Sequence, residues 1–243
     1  MKRLCKYFLP WFIPALLLAQ ESAPALRGNN GAAHIPGAQG FTFVRIQWSG
    51  EGRGFFAGGN GPLWAHDFPT AEQNFYTALH ALTTLPMTFE NKILTLADDA
   101  IFNYPLLYIC EVGYWIPEKK EAGRLQEYLQ RGGFLIVDDF RGGLEWRNFY
   151  NQIQPLVAAP PRPLALDHAV FHCFFEFEQV GNHSPYGMPP IFYGLYDDKN
   201  RLTGIVNYNN DIGDGWEWPE NDQEFSTEAF KLGINYLIYA MTH

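Results

Sequence analysis

Two acid–glycine combinations and one polar, aromatic stretch carry the residue types in this sequence that chemistry needs. Glu111-Val-Gly113 follows the apolar run Leu106–Cys110, and Asp138-Asp139-Phe-Arg141-Gly-Gly143 follows Phe134–Val137. Glycine beside an acid lets backbone approach a ligand. Two carboxylate clusters on one rim serve a divalent metal ion or general acid–base work. The competing role is structural, with Asp139 capping the following helix or pairing with Arg141. His168 and His172 lie four apart behind Asp167, a spacing that on a helix puts both imidazoles on one face, as metal sites require. The run Val170–Phe177 reads as a strand or irregular segment, however, and no HExxH pattern is present, so His168 stands between ligand and polar rim residue. The third stretch is Asn209-Asn210-Asp211-Ile-Gly-Asp214-Gly-Trp216-Glu217-Trp218. Its alternating acids and glycines resemble a calcium loop without the glycine at the sixth position, so it is no EF-hand. Trp216 and Trp218 either offer a stacking face to a sugar or other planar ligand, or pack inside a glycine-rich turn. The one cofactor these residue types point to is a divalent metal ion, with Asp138, Asp139, His168 and Asp211 as its candidate ligands.

A sheet has to carry these residues to one edge. Phe41–Trp48 alternates and is rich in β-branched and aromatic residues, which predicts a strand ending at Trp48. Thr70-Ala-Glu-Gln73 behind Pro69 reads as a capping box opening a helix to about Thr84, with Phe75, Leu79 and Leu82 as its apolar stripe. Lys92–Leu96, Leu106–Cys110 and Phe134–Asp138 are expected strands, the last two covered on both faces. Pro117 suits the first position of a helix running to Gln130 and closed by Gly132, and a further helix is expected over Leu144–Ile153. Ile191–Tyr196 and Leu202–Tyr208 flank Asp197-Asp-Lys-Asn200 and predict a hairpin. Ser226 is the expected N-cap of a last helix to about Ala240, with Phe225 and Phe230 as a staple. This order is that of an α/β, doubly wound, mainly parallel sheet of flavodoxin type with an antiparallel C-terminal hairpin. Ligands then bind outside the carboxyl ends of the strands, where Trp48, Glu111, Asp138 and Asp139 are expected. Cys110 also ends a strand, but no glycines bracket it as in a nucleophile elbow, so a buried structural thiol is expected.

The whole chain has 243 residues, 47% of them apolar, and a formal net charge of −9, enough to bury a full core. No Lys/Arg cluster follows the first six residues, which excludes nucleic acid as a natural partner. Lys2, Arg3 and Lys6 precede an apolar run, Tyr7–Ala19, that Pro10 and Pro14 interrupt. It is shorter than the about 20 residues of a spanning helix and reads as a signal peptide over 1–19. Cleavage takes the formal net charge from −9 to −12 and leaves no transmembrane span. Residues 20–40 read as a flexible linker, Ser49–Gly61 as a glycine-rich loop that is not a P-loop, and 41–243 as a single domain. Cys110 and Cys173 are left to form one disulfide or to stay as thiols.

Five ordered motifs resemble the bacterial domain of unknown function 4159 family over residues 41–243. They are Trp64-Ala-His-Asp67-Phe-Pro69-Thr-Ala-Glu72-Gln-Asn74-Phe75, Arg131-Gly-Gly-Phe-Leu-Ile-Val-Asp138-Asp139-Phe140, Asp167-His168…Phe171-His172, Asn209…Asp211-Ile-Gly-Asp214…Trp216, and Leu232-Gly-Ile-Asn235…Tyr239-Ala-Met-Thr-His243. The resemblance implies a class I glutamine-amidotransferase-like α/β fold, often in exported proteins. It implies no established activity, and the Cys–His pair of true amidotransferases has no counterpart motif here. Asp67, Glu72, Asn74, Asp138, Asp139, Asn209, Asp211, Asp214 and Trp216 fall inside the matching motifs and join Trp48, Glu111, Arg141 and His168 as candidate ligand-binding residues.

Two functions follow as expectations. The first is a non-catalytic binding or assembly module of the bacterial cell envelope, exported to the periplasm or exterior, with a small-molecule, glycan or envelope-protein partner. The second is a metal-assisted hydrolase of a cell-wall glycan or peptide. Convergence of the carboxylates and His168 within about 5 Å favours the second. Asp138→Asn is expected to impair function more than stability, unless Asp138 accepts several backbone hydrogen bonds.

Overall fold

The computed structural model describes residues 40–49, 61–181 and 184–243. The expected signal peptide, nearly all of the linker and most of the glycine-rich segment after Trp48 lie outside the described residues. Seven strands form one sheet: β1 (Phe41–Ile46), β2 (Met87–Leu94), β3 (Leu106–Cys110), β4 (Phe134–Phe140), β5 (Arg162–Pro163), β6 (Ile191–Tyr196) and β7 (Leu202–Tyr208), in the order β2-β1-β3-β4-β7-β6-β5. The first five in that order are parallel, and β6 pairs antiparallel with both β7 and β5. The protein is thus α/β with a mainly parallel sheet and antiparallel strands on its C-terminal side. β2 begins five residues before the expected strand, and the proline-rich connection contributes β5 to the same sheet.

Side-chain alternation divides the core in two. From β1, Phe41 and Phe43 enter one layer with Tyr108 and Ile136, packed by α1 (Thr70–Leu82) and by α5 (Gln223–Thr242). Val44 and Ile46 enter the other with Leu107 and Val137, packed by α2 (Lys119–Gln130) and α3 (Gly142–Ile153). Between α3 and α5 comes α4 (Ile212–Glu217), a six-residue helix within the polar, aromatic stretch 209–218, for which no helix was expected. No helix among the described residues is long and apolar enough to cross a membrane.

Three helix N-caps differ from expectation. Helix α1 begins at Thr70 without a side-chain cap. In its first turn Glu72 points inward, where Oε1 accepts from Arg45 Nε at 2.5 Å, both side chains being sealed from solvent. An unpaired guanidinium in the core costs several kcal/mol, far more than an exposed N–H at a helix start. Helix α2 begins two residues after Pro117, with Glu118 as N-cap and Glu121 completing a capping box. Gly132 at φ +91° closes it as expected. Helix α5 starts at Gln223, where Asp222 Oδ1 accepts from the Glu224 and Phe225 N–H groups. Ser226 Oγ donates to the Gly215 carbonyl at 2.6 Å, tying α5 to α4. Cys110 and Cys173 are free thiols, and burial pushes both up, Cys173 to about 11.

Candidate metal centre

The strand order reverses between β1 and β3: after β1 the chain adds β2 on one side, then crosses to β3 on the other. Such a switch point opens a crevice at the carboxyl ends of the strands. The segment 62–69 enters this edge from the β1 side. Arg45 Nη1 donates to the Trp64 carbonyl at 3.2 Å and holds the turn Leu63–Ala65 against the core. The buried Arg45–Glu72 pair therefore positions the next two residues, His66 and Asp67. Glu111 follows β3, Asp138 and Asp139 end β4, and Asp211 and Asp214 stand beyond β7 at the start of α4. Four of these edge residues, Asp67, Glu111, Asp139 and Asn209, have φ between +54° and +64°. Non-glycine residues adopt that region at a cost, and such residues gather at functional sites.

His66, Asp67, Asp139 and Asp211 each offer a ligand atom, and these atoms all lie within 4.8 Å of one another. His66 Nδ1 is 2.5 Å from Asp139 Oδ2, and its Nε2 is 3.5 Å from Asp67 Oδ1. Tyr186 donates to Asp139 Oδ1 and lies 3.3 Å from Asp211 Oδ2, while Arg141 stacks over its ring at 4.2 Å. Asp211 Oδ1 accepts from the Asp214 N–H at 2.9 Å as the N-cap of α4. The Asp67 side chain is wholly sealed, yet neither of its oxygens accepts a hydrogen bond. Among the described residues no other carboxylate has both oxygens buried and unpartnered. Only glycine fits opposite it, because a Cβ on Gly213 would meet Asp67 Oδ2 at under 3.0 Å.

So many acids in one place disturb each other. Burial, against the charge of His66 and with Asp139 and Asp214 outweighing that of Arg45, pushes Asp67 well above the ordinary carboxylate range, and burial with Asp139, Asp67 and Asp214 does the same to Asp211. Burial and Asp139 raise Glu111 to about 9. Burial opposes the charge on His66, but its hydrogen bond to Asp139 and the charges of Asp67, Asp139 and Asp214 raise it to about 9. A divalent cation among these groups relieves that repulsion.

A model of the family described as Domain of unknown function (DUF4159) matches residues 43–241. The chain belongs to the DUF4159 family. No curated protein matches it. The matched DUF4159 span contains every residue of the centre, the first four of the motifs quoted above and the fifth as far as Met241.

Within the DUF4159 domain the candidate residues separate sharply. Asp139 and Asp211 join the centre, with Asp67 from the first motif; Glu111 borders it, 3.9 Å from His66 Nδ1. Asp138 lies below and is fully engaged. Its Oδ2 accepts from Tyr108 OH at 2.9 Å and Gly213 N–H at 3.0 Å, and its Oδ1 accepts from Asn207 Nδ2 at 3.0 Å and Ile212 N–H at 3.2 Å. Burial and the charge of Asp139 raise Asp138, the bonds from Tyr108, Gly213 and Ile212 lower it, and it is left at about 6. This is the structural arrangement the sequence left as the alternative, since every lone pair goes to scaffold. Asn209 braces the same edge, accepting from Gly142 N–H and donating to the Pro189 carbonyl. Asn74 donates to the Trp216 carbonyl and fixes the end of α4.

Several candidates lie away from any ligand surface. Trp48 is buried and donates Nε1–H to the Cys110 carbonyl at 2.9 Å. Trp216 is wholly buried against Phe75, because α4 turns it inward over Gly233, so it offers no stacking face; Trp218 is exposed. Glu72 is occupied by Arg45. His168 sits by the amino edge of the sheet, in a cleft with Arg162, Arg201, Tyr239 and His243, and caps a short turn by accepting from Val170 N–H. His172 is bound to Glu176 and the Leu166 carbonyl, with no helix to align it with His168. Convergence therefore occurs, but around His66 rather than His168. Two residues escaped the sequence reading, His66 and Tyr186. His66 stood inside the first motif beside Asp67, a signal that was available; Tyr186 had none.

Proposed function

We propose that this domain holds a divalent cation at His66, Asp67, Asp139 and Asp211 and acts as a metal-assisted hydrolase. Asp67 carries the reading: a sealed carboxylate whose two oxygens accept no hydrogen bond, with His66 Nε2 at 3.5 Å, is costly unless a further cation compensates it. One imidazole with three carboxylates suits manganese, iron, zinc or magnesium. The partly exposed faces of the centre are those of His66 and Glu111, so substrate approaches there, and Glu111 is the group placed to move a proton. The basic-then-apolar N-terminus supports export, which makes a glycan or peptide of the bacterial envelope the fitting substrate class, in the periplasm or outside the cell. The order β2-β1-β3-β4-β7 parallels the flavodoxin order and supports the class I glutamine-amidotransferase-like superfold, here without a thiol nucleophile. Enclosure of three of the four ligands favours, as second reading, the non-catalytic binding or assembly module, in which the ion orders the edge rather than meeting substrate. Metal analysis of the purified protein, followed by thermal shift with divalent ions and assay on envelope glycans and peptides, tests both. Bound metal, a melting temperature that chelator lowers and ion restores, and hydrolysis support the hydrolase; metal without hydrolysis supports the module. No metal and no shift overturn the reading.

A further inference from the structure

We propose that the centre takes two divalent ions, with Asp67 as the carboxylate they share. The inference rests on the metal reading above and extends it. A second group of ligand atoms, from Asp67, Asp214 and Glu217, also lies within 4.8 Å. Asp214 and Glu217 are three apart on α4, a spacing that brings helical side chains to one face. Asp67 belongs to both groups. It is also the residue whose two buried oxygens accept no hydrogen bond; Oδ1 faces His66 Nε2 at 3.5 Å in the first group, which leaves Oδ2 to the second ion. A carboxylate bound to one ion through a single oxygen would leave the other oxygen sealed and unsatisfied, the situation the protein avoids at Asp138 with four hydrogen bonds.

Charge supports the same count. Asp67, Asp139, Asp211, Asp214 and Glu217 bring five carboxylates to the two groups, which one divalent ion leaves strongly negative in a largely enclosed place. Two ions nearly neutralise them. The subsites differ in chemistry. The first offers an imidazole and suits a transition ion, whereas the second is all oxygen and takes a hard cation such as magnesium, calcium or manganese. Asn74, donating to the Trp216 and Glu217 carbonyls, fixes the end of α4 that presents Glu217. Ions sharing a carboxylate stand about 3.5–4 Å apart and clamp both oxygens of a displacement.

The test is manganese titration of the chelator-stripped full chain, read by calorimetry and electron paramagnetic resonance. The expected result is two ions per chain with a spin-coupled spectrum. Glu217→Gln and Asp214→Asn should each bind one ion with an uncoupled six-line spectrum, and that retained ion shows the variant to be folded. One uncoupled ion in the wild type, kept in Glu217→Gln, overturns the second site and leaves the single-ion reading standing. Two ions without coupling overturn the shared carboxylate, and no ion at all overturns both readings.

Discussion

Asp138 meets four donors within 3.2 Å, whereas Asp67, sealed at the same sheet edge, meets none. Asp138 lies near the end of β4 and Asp67 just before α1, and both sit in the quoted motifs. Asp138 fastens the first N–H groups of α4 to β4 and so builds the edge. Asp67, held in left-handed backbone by the turn that Arg45 anchors, leaves its oxygens to whatever enters. Burial alone therefore does not distinguish scaffold from site; what the oxygens are bonded to does.

The contrast can be broken hardest by making a new orphan where the protein has a pair. Arg45→Met leaves Glu72 buried without its partner, and urea unfolding should show a loss of about 3–5 kcal/mol. A loss below about 1 kcal/mol would mean that the core tolerates bare carboxylates, and Asp67 would lose its significance. Asp138→Asn comes next. It replaces an acceptor oxygen with an amide that faces N–H donors, and should destabilise by about 1–3 kcal/mol while manganese binding persists. Full stability with lost binding would move Asp138 from scaffold to ligand. The smallest effect sharpens the rule away from the edge, at Asp197 in the β6–β7 turn. Burial raises this acid, but the Arg201 N–H and guanidinium and the Lys199 N–H outweigh it and hold Asp197 below the usual range. The lowered value stabilises the fold above the unfolded carboxylate pKa of about 4, and the benefit is lost as pH falls through the folded value. Wild type should exceed Asp197→Asn by about 1 kcal/mol at pH 7, with the gap closing below about pH 4. A gap that stays constant with pH would contradict this.

Much of the architecture was legible. Leu106–Cys110 and Phe134–Val137 are unbroken apolar runs of strand length, suited to strands covered on both faces, and they carry Glu111, Asp138 and Asp139 to the carboxyl edge of the sheet. Helix α4 was not legible, because six residues with two glycines carry no periodicity; its order comes from Asp138 and Asp211 bonding its N–H groups. For the same reason the sequence left Trp216 open between a stacking face and inward packing. The centre itself joins His66 and Asp67 to Asp139 and Asp211, brought together only by the strand order. His168, with its suggestive spacing, lost to a histidine that had no spacing to announce it. Whether a carboxylate is satisfied is a property of its neighbours in space, so Asp67 and Asp138 could not be told apart in sequence.

The most direct measurement is a thermal denaturation of wild type and Asp67→Asn, each chelator-stripped and then given manganese. Asn keeps the shape and removes the bare charge, so the stripped variant should melt at or above the stripped wild type. Manganese should raise the wild-type melting temperature, by the equivalent of about 2.7 kcal/mol at a hundredfold excess over Kd, and should leave Asp67→Asn unmoved. A variant that melts well below the stripped wild type, or that keeps the manganese shift, would contradict the assignment of Asp67 as the site's ligand.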